Sequence, residues 1–176
     1  MPLRDLVKRI MRKLLLLDAD VVIDLHTLGL FGKINKAYGV CLTRIVFEEA
    51  GYYKKDRAKI KIDLKGAAII DNVELENLKK VQREASEARL GIDAGEAISI
   101  AYLIQTGKDV TLCTCDQAAI KLVSYMELEQ RAISLEKALR SIGYNERSLY
   151  PRHHEKTFSR GVKDGKALRI QFKKLE

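Results

Sequence analysis

Residues 14–24 of this chain read Leu-Leu-Leu-Leu-Asp-Ala-Asp-Val-Val-Ile-Asp, and this stretch decides the fold. The four leucines predict a strand that is buried on both faces, and the strand ends at an acidic residue, Asp18. Val21, Val22 and Leu25 follow at helical spacing, so the stretch predicts a strand that leads directly into a helix. That order is typical of the first unit of a parallel α/β sheet.

The same order repeats along the chain. Four more short apolar runs predict strands, at residues 40–42, 67–70, 110–113 and 132–135. Apolar residues at helical spacing predict helices between them, at residues 43–53, 75–85, 94–106, 118–123 and 136–142. This alternation predicts an α/β domain with a parallel sheet of about five strands and helices on both faces.

The composition fits one soluble domain. The chain has 176 residues, of which 47% are hydrophobic and 32% charged, and this length suits a single core. The apolar run at residues 14–17 is too short to span a bilayer, so we expect a cytoplasmic protein with no membrane partner. The three cysteines lack disulfide-like spacing, and we expect Cys113 and Cys115 to be small buried residues rather than zinc ligands.

The net charge of +8 is concentrated at the two ends. Residues 1–13 hold five Lys/Arg and one acidic residue, and residues 145–176 hold nine Lys/Arg and four acidic residues. We therefore divide the chain into a basic N-terminal extension (1–13), a folded domain (14–143) and a basic C-terminal tail (144–176). Basic ends attract polyanions, of which nucleic acid is the commonest, but they also keep a domain soluble.

Two interpretations of the tail stay open. In the first, Phe158 and Phe172 stack on RNA bases while nearby cations contact phosphates, namely Arg160, Lys163, Lys166 and Arg169. In the second, which the pattern slightly favours, the tail packs on the body or forms a dimer contact. Its alternating Leu168, Ile170 and Phe172 would then line one face of a strand.

The tail also contains a turn signal. Residues 157–172 are consistent with a hairpin that turns at Asp164-Gly165. That register places Lys163 opposite Lys166, and two like charges facing each other disfavour it.

Four acidic residues fall at corresponding points of the predicted fold. Asp18 follows the first strand, and Glu49 lies on the apolar face of the helix after the second. Glu96 opens the helix before the fourth strand, and Asp116 follows that strand. Each has a structural interpretation alone, as a helix cap or a solvated residue. Because sites in parallel sheets form beyond the carboxyl ends of the strands, their joint placement predicts a site.

Such a site calls for a cation. Converging carboxylates without basic partners repel one another, and a divalent ion offsets the repulsion. Oxygen ligands favour Mg²⁺ or Mn²⁺ over zinc. Either ion lowers the pKa of a bound water and holds a phosphodiester for in-line attack.

These motifs resemble those of PIN-domain nucleases. The stretch at 14–24 resembles the family's strand, acid and aliphatic pair, and Ile-Val-Phe-Glu-Glu-Ala at 45–50 resembles its helix with an acidic second position. Asp-Ala-Gly-Glu at 93–96 resembles its Gly-Glu third position, and Thr-Cys-Asp at 114–116 its Thr-x-Asp fourth. The order and spacing of all four agree over residues 14–143.

The resemblance implies a three-layer α/β/α fold and a metal-dependent endoribonuclease acting on single-stranded or structured RNA. Carried over, the catalytic residues and metal ligands are Asp18, Glu49, Glu96 and Asp116. Thr114 would support the site through its hydroxyl. Glu48 competes with Glu49, which we prefer because it shares the apolar face of its helix. Asp20 would be an additional acid, and Cys115 stands where many relatives have Asp.

The resemblance also suggests a biological role. PIN-like proteins of this size are often toxins of bacterial toxin–antitoxin pairs, so it implies a homodimer and a possible antitoxin partner. One alternative is a non-catalytic RNA-binding or regulatory module on the same fold. Another is a haloacid dehalogenase-like phosphatase with Asp18 as nucleophile and Asp20 as acid, which leaves Glu49 and Glu96 without a role.

Overall fold

The computed structural model describes residues 13–173, so the predicted N-terminal extension lies, except for Lys13, outside the described residues. Seven strands occur in this part of the chain: β1 (Leu14–Leu17), β2 (Gly39–Thr43), β3 (Tyr52–Lys55), β4 (Ala58–Lys61), β5 (Ala68–Ile70), β6 (Val110–Cys113) and β7 (Ala132–Ile133). Five of them form one sheet in the order β5-β2-β1-β6-β7, and every neighbouring pair is parallel. The predicted α/β class and five-stranded parallel sheet are confirmed.

Helices cover both faces of this sheet. The described helices are α1 (Ala19–Thr27), α2 (Phe31–Ala37), α3 (Arg44–Glu49), α4 (Leu75–Glu87), α5 (Ala94–Gln105), α6 (Gln117–Tyr125), α7 (Leu135–Ser141) and α8 (Glu155–Phe172). Leu15 and Leu17 pack into a core with α1, α2 and α7, whereas Leu16 packs into a second core with α4, α5 and α6. Successive leucines of β1 therefore bury opposite faces, as a strand at the centre of three layers must.

The strand ends bring the acidic positions to one edge. In the parallel register, Leu16 pairs with Cys41 of β2 and Leu17 pairs with Cys113 of β6. The carboxyl ends of these three strands therefore lie side by side, and the segments after them begin at the same edge. Cys41, Cys113 and Cys115 are free and buried, which confirms the expected burial of the last two.

Helix α3 is shorter than predicted. The sequence indicated one helical face that ran on to Tyr53, but α3 ends at Glu49, and Tyr53 belongs to β3. Strands β3 and β4 form an antiparallel hairpin apart from the main sheet, joined by Asp56-Arg57. Both turn residues have positive φ, +49° and +67°, the left-handed geometry that matches strand twist in a two-residue turn.

The predicted hairpin at 157–172 is wrong, because this segment is the long helix α8. Helix α8 packs along α6, with Phe158, Gly161 and Gly165 buried. Leu168 and Phe172 are four residues apart and pack together into the core, while Ile170 is exposed. Gly165, which indicates a turn in the sequence, serves close helix packing instead, as does Gly161. Packing on the body, the second interpretation of the tail, describes this segment. No helix within residues 13–173 is long and apolar enough to cross a membrane.

Candidate active site

Asp18 and Asp116 are linked through one hydroxyl. Asp18 caps α1: its Oδ1 accepts a hydrogen bond of 2.7 Å from the Ala19 backbone. Its Oδ2 accepts a bond of 3.0 Å from Thr114 Oγ1. The Asp116 N–H donates to the same Thr114 oxygen at 3.2 Å, while Asp116 Oδ1 caps α6 through Ala119 N–H at 2.8 Å. Thr114 therefore fixes the ends of β1 and β6 relative to each other.

Glu96 takes part in a capping box at the start of α5. Asp93 Oδ1 accepts from the Glu96 N–H at 2.8 Å, and Glu96 Oε2 accepts from the Asp93 N–H at 2.9 Å. These bonds satisfy two amide groups that the helix cannot pair internally. The structural roles considered for Asp18, Glu96 and Asp116 are thus all present, and each acid also lies at the strand edge.

Glu49 reaches the same place from α3. Its Oε2 lies 2.9 Å from where a Cβ on Gly95 would stand, so the lack of a side chain at Gly95 gives this carboxylate its room. Partial burial raises the pKa of Glu49, and the nearby charges of Asp93 and Asp20 raise it further. Glu49 is therefore in the electrostatic range of the α5 capping box and of the first turn of α1.

Burial and neighbouring carboxylates raise the pKa values of Asp18 and Glu96. Burial raises the pKa of Asp18 to about 6, with smaller upward contributions from Asp20 and Asp116, although the Thr114 hydrogen bond lowers it. Burial also raises the pKa of Glu96 to about 8, and the charges of Asp116, Asp93 and Asp18 add to that rise. We call this group of six carboxylates the acidic edge; its members are Asp18, Asp20, Glu49, Asp93, Glu96 and Asp116.

The acidic edge offers the oxygen ligands that a hard cation prefers, but these oxygens do not converge on one point. Its donors are all oxygens, and in the part of the chain that the structure describes neither Asp18 nor Glu96 forms an ion pair with a basic residue. In the described range, however, no three His, Cys, Asp or Glu side chains stand close enough to hold one ion. The helix caps account for this spacing. Electrostatic coupling acts over several ångströms, whereas Mg²⁺ needs oxygens at about 2.0–2.1 Å.

The donors that an ion would need are present. Within residues 13–173, the second carboxylate oxygens of Asp116 and Glu96 accept no hydrogen bond, because each cap uses only one oxygen. These free oxygens are of the type that Mg²⁺ and Mn²⁺ prefer.

The C-terminal segment adds cations that the sequence did not predict. Arg152 donates from Nη1 to Asp20 Oδ2 at 3.1 Å and from Nε to Asp24 Oδ2 at 2.9 Å. His153, fully buried, donates from Nε2 to the same Asp24 oxygen at 2.6 Å. Burial alone would raise the pKa of Asp24, but these hydrogen bonds outweigh it and lower the pKa.

A sequence signal for this contact did exist. Asp24 is three residues after Val21 and next to Leu25, so it falls on the apolar face of α1, where a carboxylate needs a partner. The partner, however, is 128 residues away in the chain, and spacing alone could not identify Arg152.

No protein-family model, curated protein or solved structure matches this chain. The resemblance to PIN-domain nucleases therefore stands on the four motifs quoted above.

Proposed function

We propose that this protein is an endoribonuclease that depends on Mg²⁺ or Mn²⁺ and acts at the acidic edge. One observation carries the proposal. Asp18, Glu96 and Asp116 are far apart in the sequence, yet the charges of Asp18 and Asp116 raise the pKa of Glu96, and within residues 13–173 none of the three forms an ion pair with a basic residue. Clusters of like charge that shift one another's pKa are common at functional sites.

Each residue of the site has its own proposed role. Asp18, Glu96 and Asp116 would hold the ion, and Glu49 would bind it directly or through a water. Thr114 keeps Asp18 oriented by its hydrogen bond. When bound, the ion supplies an activated water and a positive charge for the phosphodiester. Arg152 neutralises Asp20, so the uncompensated charge is concentrated on the remaining acids.

RNA is the substrate that the resemblance and the charge support together. A net charge of +8 favours a polyanion over a small phosphate ester. The phosphatase alternative would use Asp20 as an acid, but Arg152 forms an ion pair with Asp20 at 3.1 Å. It also leaves Glu49 and Glu96 without a role.

The test is cleavage of a labelled single-stranded RNA by the purified full chain with Mg²⁺, Mn²⁺ or EDTA. We expect cleavage with either ion and none with EDTA. Asp18→Asn should reduce the rate by more than roughly 100-fold, and Thr114→Val by about 10–100-fold, as for groups that support a metal ligand.

Glu48 and Glu49 provide a matched pair for the same assay. Glu49→Gln should slow cleavage markedly, whereas Glu48→Gln should leave the rate unchanged. Equal activity of Asp18→Asn and the unmodified chain would contradict the proposal. RNA binding without cleavage under every metal condition would favour the non-catalytic module.

The biological role implied by the resemblance is part of the proposal. A toxin should arrest growth when induced, and the product of a neighbouring gene should relieve the arrest. A homodimer would give twice the 20.0 kDa chain mass in light scattering. Harmless overexpression of an active enzyme would contradict the toxin assignment but not the nuclease.

A further inference from the structure

The β3–β4 hairpin presents one face made almost entirely of cations. Residues 52–61 hold five Lys/Arg and one acidic residue. In the antiparallel register Tyr52 faces Lys61 and Lys54 faces Lys59. Because side chains alternate along a strand, these four residues share one face, and all four are exposed. Lys59 lies over the Tyr52 ring at 4.4 Å from its centroid.

The other face of the hairpin holds it on the body. Tyr53 packs against the core near His26, with their ring centres 6.0 Å apart. The Ile62 N–H donates to the Gly51 carbonyl at 3.1 Å, and the Ile62 side chain is buried. The cationic face is therefore presented from an anchored base, not from a loose loop.

Within residues 13–173 these cations are not paired with carboxylates. Among the described residues, no ion pair includes Lys54, Arg57, Lys59 or Lys61. Lys54 and Lys59 even face each other across the strands, an arrangement that costs stability unless an anion lies between them. This unbalanced charge is suited to a polyanionic ligand.

The basic tail differs in this respect, because much of its charge is already paired. Lys166 forms an ion pair with Glu129 at 2.9 Å, Arg169 with Glu127 at 2.8 Å, and Lys173 with Glu84 at 2.6 Å. Phe158, one of the rings expected to stack on bases, is buried against the body. The hairpin is thus the better of the two basic surfaces for binding RNA.

We propose that the hairpin face formed by Tyr52, Lys54, Lys59 and Lys61 is the docking surface for the single-stranded RNA that is cleaved at the acidic edge. The inference rests on the proposed function, because it assumes that the docked RNA is the one cleaved at the acidic edge. Tyr52 follows Glu49 by three residues, so their Cα atoms are no more than about 11 Å apart. The lysines contact phosphates, and the half-exposed Tyr52 ring offers a stacking surface for a base.

The first test is binding of a labelled single-stranded RNA to the full chain in EDTA, so that nothing is cleaved. The triple variant Lys54→Gln/Lys59→Gln/Lys61→Gln should weaken binding at low salt by roughly tenfold or more. The slope of log affinity against log salt concentration should become shallower by about 2, because each lost phosphate contact removes about 0.7 from that slope. The matched control is Lys156→Gln/Arg160→Gln/Lys163→Gln on α8, which removes three exposed cations and should leave the slope unchanged.

The second test identifies the type of polyanion. Tyr52→Leu should weaken binding to RNA about tenfold but leave heparin binding unchanged, because heparin has no bases to stack on. Equal losses for both ligands would show a general anion surface and overturn the RNA assignment. A flattened slope in the α8 variant alone would move the RNA surface to the tail.

Binding in EDTA separates this inference from the proposed function. If the hairpin variant loses RNA affinity but the unmodified chain never cleaves, the docking surface stands and the nuclease does not. If the chain cleaves RNA and the hairpin variant keeps its affinity and salt slope, the docking surface alone is wrong. Thermal melting of each variant checks that the fold is intact.

Discussion

Glu96 combines a structural role with a raised pKa. Its carboxylate accepts the Asp93 N–H, as a capping box requires, and it is half-buried among other acids. Near neutral pH a carboxyl with a pKa of about 8 is mostly protonated, whereas a metal ligand must be ionised. The residue therefore has to lose a proton before it binds a cation.

This leads to a prediction for Glu96→Gln. The folded pKa of about 8 lies above the ordinary value of 4.5, so the folded chain binds this proton more tightly than the unfolded chain. Stability therefore falls as pH rises from about 4.5 to 8, and ionised Glu96 is a cost above that range. The Gln variant avoids the cost, and its melting temperature should exceed that of the unmodified chain at pH 9 by roughly 2–4 °C.

At pH 5 the two proteins should melt alike, since Glu96 is protonated there, and Glu48→Gln should show no such pH dependence. The same variant should fail to cleave RNA. In the unmodified chain, cleavage should increase between pH 6 and 8 as Asp18 and Glu96 lose their protons. A Gln variant that is less stable at pH 9 would show that the Glu96 charge stabilises the fold.

Helices α6 and α8 pack closely at two glycines of α8. A Cβ on Gly161 would lie 2.8 Å from Ile120 Cγ2, and one on Gly165 would lie 2.7 Å from Ser124 Cβ and collide with the Lys121 carbonyl. The Ser124 hydroxyl donates to the Val162 carbonyl at 2.7 Å across the contact. Two glycines four residues apart thus allow the backbones to approach.

We predict that Gly165→Ala lowers the free energy of unfolding by about 1–3 kcal/mol, because the added methyl group forces the helices apart. Alanine favours helix formation over glycine by about 1 kcal/mol, so a loss in spite of this preference is specific to the contact. Gly32→Ala in α2 is the matched control. In the described part of the chain, no atom outside its own helix backbone and chain neighbours lies within 4 Å of the added Cβ, and we expect the variant to be more stable by about 0.4–1 kcal/mol. Urea unfolding measures both, and a stabilised Gly165→Ala variant would contradict the packing.

The elements differ in how well their sequences predict them. The strands of the main sheet are predictable because burial on both faces leaves continuous apolar runs such as 14–17. The β3–β4 hairpin was not predicted, since lysines occupy one face and its turn is Asp56-Arg57 rather than a glycine turn. The sequence of α8 predicts strands because Asp164-Gly165 is a turn signal, whereas the four-residue spacing of Gly161 and Gly165 serves helix packing.

The acidic edge shows a similar division. Order along the chain was enough to predict that Asp18, Glu96 and Asp116 lie at one edge, because parallel strands align their carboxyl ends. The contact of Asp24 with Arg152 was not predictable, because it joins segments that no sequence spacing relates.

At the scale of the whole molecule, the C-terminal segment packs against the rest of the fold at two places. Arg152 and His153 donate hydrogen bonds to the buried Asp24 of α1 on one side of the sheet. Helix α8 covers α6 on the other side, where Arg169 also donates to the Tyr125 carbonyl at 3.0 Å. The segment is thus part of the folded body.

We therefore predict that a chain ending at Ser148 is much less stable. The truncation removes the Arg152 and His153 partners of Asp24 and the packing of α8 on α6, and together these losses should lower the melting temperature by roughly 10 °C or more. Adding Asp24→Leu to the truncated chain should restore part of the loss, because no buried charge then lacks a partner. A truncated chain with an unchanged melting temperature but weaker RNA binding would show that the tail is a separate RNA-binding arm.

The three buried thiols have a practical consequence. Burial raises the pKa of Cys41 to about 12 and raises the pKa of Cys113 and Cys115 as well. The thiolate is the form of cysteine that attacks an alkylating reagent, so the native state should react with such reagents very slowly. Cys41 lies in β2, Cys113 ends β6 and Cys115 follows two residues later. Strands β2 and β6 are the two neighbours of β1 in the sheet. Alkylation rates at these native cysteines would therefore report how often the centre of the sheet opens, with no label introduced into the protein.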